Sequence, residues 1–216
     1  MKTAIVIGST GMVGSQLIDL LLNSNKYIQV ISFVRRSGEK NHPKLKEYIV
    51  DFDHPEKWQN LLHGDVLFSA MGTTIAKAKI KAEQYKVDFT YQFNIAKIAI
   101  KQGINNYVLV SAAGANPNSL NFYMNIKGEL EQAVQSLGFE FISILRPGQL
   151  DGKRNEKRVG ETIGLSFMYG INALGLFRKY RPIQAIDVAK AMMNAAEKTK
   201  SGIYTLDQVH ELAKLQ

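Results

Sequence analysis

A short run rich in Ile and Val, Thr3 to Ile7, leads directly into Gly8-Ser9-Thr10-Gly11-Met12-Val13-Gly14, and apolar residues then recur at Val13, Leu17, Leu20 and Leu21. The run suits one buried strand and is far too short to span a membrane. The spacing that follows is helical. Strand, glycine-rich turn and helix in that order is the context in which a G-x-x-G-x-x-G cluster acquires chemical meaning. Gly8 allows a tight exit from the strand, Gly11 lets backbone approach a pyrophosphate, and Gly14 lets the helix pack closely on the sheet. The free N–H groups of the first helical turn then face an anion.

The rest of the chain limits what this turn can belong to. At 216 residues, 45% apolar and 21% charged, it fits one α/β domain, residues 1–216, with a single sizeable core. No apolar run reaches the length of a transmembrane helix, and no signal-peptide region separates Lys2 from the glycines. Without cysteine there is no disulfide, thiolate nucleophile or thiolate metal site, and His42, His54, His63 and His210 lack metal-ligand spacing. We expect no metal site and a cytoplasmic location. The formal charge is +8, but Lys and Arg are spread from Lys2 to Lys214, with modest clusters at Lys77-Lys79-Lys81 and Arg154-Lys157-Arg158. Nucleic-acid binding would gather them on one element, so a diffuse solvated surface is expected, with a small molecule as partner. Monomer and homodimer both remain open.

Strand and helix alternate along the chain. Ile28 to Val34 reads as a second strand ending at Arg35-Arg36. In a dinucleotide fold that strand end borders the adenosine ribose. An acid there would suit NAD, whereas arginines can pair with a 2′-phosphate, so NADP is expected, with NAD as the alternative. Tyr48 to Asp51 reads as a third strand, with Asp51, Phe52 and Asp53 beside the adenine, and a brief helix from His54-Pro55-Glu56 to Gly64. Asp65 to Ala70 is a fourth strand. The small-residue turn after it, Met71-Gly72-Thr73-Thr74, suits close passage by a cofactor along Ala70 to Thr73. A helix from Lys79 to Lys101, a fifth strand from Asn106 to Val110, a helix from Asn121 to Leu137 and a sixth strand from Phe139 to Leu145 follow. The pattern predicts a Rossmann-type parallel sheet covered by helices on both faces. Residues 151–181 read as a variable region. Its charged part ends near Gly160, and its apolar part, with Phe167, Met168, Tyr169, Leu174 and Phe177, suits a substrate pocket, an interface or plain core. A helix from Asp187 to Lys198, a strand from Ile203 to Leu206 and a short helix capped by Asp207 close the chain.

Tyr123 and Lys127 stand at i and i+4, on one face of the helix after the fifth strand. A phenol is a poor acid at neutral pH, with a reference pKa of about 10, and a neighbouring ammonium makes it a better one by stabilising the phenolate. Such a pair can exchange a proton with a carbonyl or alcohol oxygen, and the lysine can hold a ribose. Ser111, at the end of the fifth strand, is the candidate hydroxyl for placing that oxygen.

Gly8 to Gly14, Tyr123-x-x-x-Lys127 and Arg146-Pro147-Gly148 together resemble the extended or atypical branch of the short-chain dehydrogenase/reductase superfamily. With Gly72-Thr73-Thr74, Val87-Asp88, Val110 to Asn116 and Lys127-Gly128-Glu129, the chain is similar to the small NAD(P)-binding proteins related to the Tat-interacting oxidoreductase-like protein. The likeness covers residues 3 to 160 best. It implies a dinucleotide site using Gly8 to Val13, Arg35, Arg36, Tyr123 and Lys127, with Arg146 and Pro147 nearby. It also implies NAD(P)H-dependent oxidoreduction of an unidentified carbonyl or alcohol. Two residues depart from the superfamily pattern: Ala112 follows Ser111 where a second hydroxyl is common, and Asp88 stands where an asparagine is common. Ser119 is the alternative hydroxyl, and a dinucleotide-sensing interaction protein without catalysis is the alternative function.

Overall fold

Strands that must be buried on both faces carry apolar side chains at every position, and Ala4 to Ile7 do so without interruption. In chain order the strands are β1 (Lys2–Ile7), β2 (Tyr27–Val34), β3 (Leu45–Ile49), β4 (Val66–Ser69), β5 (Asn106–Val110), β6 (Phe141–Arg146), β7 (Leu150–Asp151), β8 (Ile183–Gln184) and β9 (Gly202–Thr205). The computed structural model describes residues 1–151 and 182–215. Seven strands form a parallel sheet in the order β3-β2-β1-β4-β5-β6-β9, while β7 and β8 pair separately. This is the Rossmann order with one strand added at the edge, and its direction reverses between β1 and β4. Ligands of such sheets bind outside the strand ends at that reversal.

Helices cover both faces. Ala4 and Val6 pack with Leu17, Leu21 and Leu22 of α1 (Met12–Asn23) and with Val188, Ala191 and Met192 of a late helix, Ala185–Ala195. Ile5 and Ile7 face the other way, toward Ile95 and Ala99 of Tyr91–Lys101 and Leu130 and Val134 of Phe122–Gln135. Numbered in order, the helices after α1 are α2 (Ile75–Ala78), α3 (Lys81–Tyr85), α4 (Tyr91–Lys101), α5 (Phe122–Gln135), α6 (Ala185–Ala195) and α7 (Asp207–Ala213).

Several elements differ from the sequence reading. The third strand begins at Leu45, pairing Leu45 to Ile49 with Val30 to Val34; at a sheet edge its Lys46 and Glu47 are tolerated. The segment after Pro55 forms two 3₁₀ turns, Pro55–Lys57 and Gln59–Leu61, around buried Trp58. Its indole N–H donates to the Asp51 carbonyl at 2.7 Å, which holds the turns against the sheet. The expected helix from Lys79 is broken: Lys79 has φ +69°, α3 follows, and a π turn, Lys86–Thr90, joins α3 to α4. Asp207 is the first residue of α7, and Leu206, at φ +45°, precedes it. Of the expected variable region, only Asp151 is among the described residues; the cluster of Arg154, Lys157 and Arg158 and the apolar stretch at Phe167 to Phe177 lie outside them.

Close backbone contact also fixes α5. A Cβ on Gly128 would lie 2.2 Å from the Pro117 nitrogen and 2.3 Å from the Asn116 carbonyl carbon. Gly128→Ala should therefore cost about 3 kcal/mol, read as a lower urea midpoint. Gly103→Ala, with φ +80° but open space around its Cβ, should cost about 1 kcal/mol. Equal losses would contradict this packing.

Candidate functional site

The turn after β1 is built so that nothing projects into it. Gly8 has φ +79°, and a Cβ there would lie 2.5 Å from the Ala70 carbonyl and the Met71 nitrogen. A Cβ on Gly14 would lie 2.1 Å from the Gly8 carbonyl oxygen. The Gly11 N–H donates to that oxygen at 3.0 Å, closing the turn. Ser32 Oγ donates to Ser9 Oγ at 2.6 Å, which ties the turn to β2. Helix α1 starts after Gly11 without a side-chain cap and without an acid in its first turn. By contrast, Asn121 caps α5 through the Met124 N–H at 3.1 Å, and Thr74 caps α2 through the Lys77 N–H at 3.3 Å. The first-turn N–H groups at Met12, Val13 and Gly14 thus lie at the positive end of a helix dipole, above a floor too tight for any side chain. An anion fits there.

Arg35 and Arg36 follow β2 and are exposed, and neither guanidinium bonds to a described residue. The next residues fold back on β3. Glu47 Oε1 accepts from Ser37 Oγ at 2.8 Å and from the Gly38 N–H at 3.0 Å. A Cβ on Gly38 would come within 3.8 Å of Thr10 Cγ2, so this turn borders the glycine-rich one. A cavity of about 230 Å³ lies between them, lined by Ser9, Thr10, Ser32, Gly38, Lys40 and Glu47 among others. Asp51 Oδ1 accepts from the Asp53 N–H at 2.9 Å, and Phe52 is buried against Trp58 and Tyr91 at 5.7 and 5.6 Å between ring centroids. The Phe52 ring is therefore core.

Charges alternate along one face of α5 and its neighbours. Lys127 Nζ lies 5.8 Å from the Tyr123 ring centroid and 3.1 Å from Asp88 Oδ1, and both charged side chains are almost wholly buried. Asp88 Oδ2 accepts from the Thr73 N–H at 3.3 Å. A Cβ on Gly72 would lie 3.2 Å from Asp88 Oδ1 and 3.9 Å from Lys127 Nζ, so the pair sits against the segment that follows β4. Burial works against the Lys127 charge, but Asp88, then Tyr123 and Glu131, outweigh it and hold the ammonium's pKa above its ordinary value. One turn on, buried Glu131 receives Arg146 Nε at 2.9 and 3.1 Å and also pairs with Arg146 Nη2. That pairing holds the guanidinium above its ordinary pKa. Ser111 Oγ donates to Glu131 Oε1. The Ala113 N–H donates to the Pro147 carbonyl at 3.0 Å, joining the ends of β5 and β6.

Several of the residues singled out in the sequence meet beyond the C-terminal ends of the central strands. Gly8 abuts Ala70 and Met71, Gly72 abuts Asp88 and Lys127, and Lys127 lies under Tyr123. Ser111 and Arg146 are engaged with each other's partner, Glu131, so the Ser111 proton points at a carboxylate. Ser119 Oγ accepts from the Asn121 N–H at 3.2 Å at the foot of α5. Glu131 and Glu47 are not picked out by the sequence reading. Glu131 has a signal, since it continues the Tyr123, Lys127 stripe at the same spacing. Glu47 has none, because it acts on the turn that follows another strand.

Known proteins place this geometry. The family described as NAD(P)H-binding matches residues 8–199. Protein FMP52 of Coccidioides immitis is 33% identical over 213 residues, covering 90% of this chain and 85% of its own. The Candida albicans protein of that name is 34% identical over 207 residues, covering 91% and 89%. Among solved structures, MoeE5 in complex with UDP-glucuronic acid and NAD superposes with a TM-score of 0.74 at 16% identity, over 94% of this chain and 76% of that one. The oxidoreductase ylbE of Lactococcus lactis superposes at 0.65 with 19% identity, over 97% and 95%. These likenesses give an NAD(P)H-binding family member with a Rossmann-type fold. They also correct one expectation: both FMP52 proteins are named mitochondrial, so the cytoplasmic assignment falls. It rested on missing cysteines, and any reducing compartment permits those. Among the described residues, no helix is long and apolar enough to cross a membrane.

The Glu131–Arg146 pair makes a stability prediction. Arg146→Met leaves a buried carboxylate hydrogen-bonded only to the Ser111 hydroxyl, with Lys127 as the remaining cation near it, and should cost about 3 kcal/mol. Urea denaturation tests it, and a loss under about 1 kcal/mol would contradict the pairing.

Proposed function

This chain belongs to the NAD(P)H-binding family, which it shares with the FMP52 proteins, and from that premise we propose that it is an oxidoreductase acting on a small carbonyl or alcohol. One observation carries the reading: the uncapped turn at Gly8 to Gly14 connects, through Ala70 and Gly72, to Lys127 and Tyr123 beyond the same strand ends. The first-turn N–H groups of α1 would hold the pyrophosphate, and Thr10, Arg35 and Arg36 the adenosine end. Lys127 would donate to the nicotinamide ribose with the N–H groups that Asp88 does not use. The bound dinucleotide supplies hydride to the carbonyl carbon, or takes it from the alcohol. Tyr123 gives the proton to the carbonyl oxygen in reduction and accepts the hydroxyl proton in oxidation. Ser111 has its own proton committed to Glu131, so it can accept from an alcohol hydroxyl but cannot donate to a carbonyl oxygen, which leaves Tyr123 as the donor.

Two guanidinium groups without partners among the described residues, on a turn that borders Thr10, favour NADP over NAD. Glu47 of β3, which reaches that turn, already accepts from Ser37 and Gly38. A second reading, a dinucleotide-responsive interaction protein without turnover, is favoured by the Ser111 proton's engagement with Glu131.

In calorimetric titration, NADPH should bind at least about tenfold tighter than NADH, and Arg35→Asp should remove most of that margin. Equal wild-type affinities would defeat the arginine argument. With NADPH and a panel of aldehydes and ketones, Tyr123→Phe should lower kcat by about 100-fold or more while NADPH affinity stays within about threefold. Undiminished turnover would remove Tyr123 from its role. Tight NADPH binding with no turnover by the wild type would select the second reading.

A further inference from the structure

Asp88 is the most deeply placed acid among the described residues whose surroundings point to the site, with no exposed surface. It lies in the π turn Lys86–Thr90, where the helix takes in an extra residue, a feature that often accompanies function. Its backbone is held from β4: Ser69 Oγ donates to Gln92 Oε1 at 2.7 Å, and Gln92 Nε2 donates to the Asp88 carbonyl at 2.8 Å. Its side chain is held by the Thr73 N–H on one oxygen and meets Lys127 with the other. That second oxygen has no aligned hydrogen bond, so the contact is an ion pair in which attraction between charges dominates.

A lone ammonium beneath a phenol stabilises phenolate, whereas an ammonium paired with a carboxylate presents a dipole whose field falls off faster. The charged and titratable groups facing Lys127 are Asp88 from the π turn, and Tyr123 and Glu131 from α5 itself. Glu131 is in turn neutralised by Arg146 from β6. Asp88 is therefore the carboxylate that balances Lys127 directly.

We propose that Asp88 is a positioning residue: it fixes the Lys127 ammonium beneath Gly72 as a ribose donor and cancels most of its charge at the Tyr123 phenol. The site thus carries a near-neutral pair. This deepens the reading of Tyr123 and Lys127 as the acid–base pair and rests on it, but its consequence for the phenol can be measured without substrate.

The experiment is an ultraviolet tyrosinate titration of the full chain, with the Tyr123 signal isolated as the difference between each protein and the same protein carrying Tyr123→Phe. In Asp88→Asn/Lys127→Gln, which removes both charges and keeps an acceptor for the Thr73 N–H, the Tyr123 midpoint should stay within about 0.3 pH unit of the wild-type value. A rise of about one unit or more would show that Lys127 acts at the phenol as an uncancelled cation and would overturn the proposal. NADPH binding by the wild type, followed by protein fluorescence, is read separately. Its absence would end the oxidoreductase reading and leave the titration to judge the ion pair alone.

Discussion

The distance of 2.1 Å between a notional Cβ on Gly14 and the Gly8 carbonyl oxygen sets the position of α1 on the sheet. Any side chain there would lift the helix, and any side chain at Gly8 would collide with the chain leaving β4. With both positions bare, the start of α1 sits at the point where the strand order of the parallel sheet reverses, between β1 and β4. Its first-turn N–H groups lack the cap that the protein gives α2 and α5. Leaving those donors without partners costs stability unless water or an anion satisfies them. The fold thus carries, at its topological switch, a deficit that a pyrophosphate can fill.

Behind this turn lies a row of charge, Asp88, Lys127 and Glu131 buried and Arg146 half-buried, contributed by the π turn, α5 and β6. Buried ion pairs of this kind are weak sources of stability, because desolvation offsets most of the attraction. Their retention makes more sense as placement. Each pair fixes one group: Asp88 holds Lys127, and Glu131, paired with Arg146, accepts from the Ser111 hydroxyl.

The fold was readable because its signals are local. Continuous apolar strands, the glycines at 8, 11 and 14, and the i, i+4 pair at Tyr123 and Lys127 each announce themselves within a few residues. The edge strand was misplaced because Leu45 to Ile49 is specified by its partner β2 more than by its own composition. The break at Lys79 and the π turn at Lys86–Thr90 were hidden for a similar reason: their pattern of apolar residues is helical, and only packing against Gly72 and Ser69 explains the extra residue. Ser111 shows the limit most clearly. A hydroxyl at the end of β5 reads as a substrate ligand until the fold brings Glu131, twenty residues later, within reach of its proton.

The central claim is that one bound molecule touches both the turn after β1 and the charged face of α5. A crystal structure of the protein grown with NADPH tests it most directly. The account predicts pyrophosphate oxygens on the N–H groups at Met12 and Val13, with the Lys127 ammonium on a ribose hydroxyl of the same molecule. A dinucleotide seated elsewhere, or none bound at millimolar concentration, would contradict it.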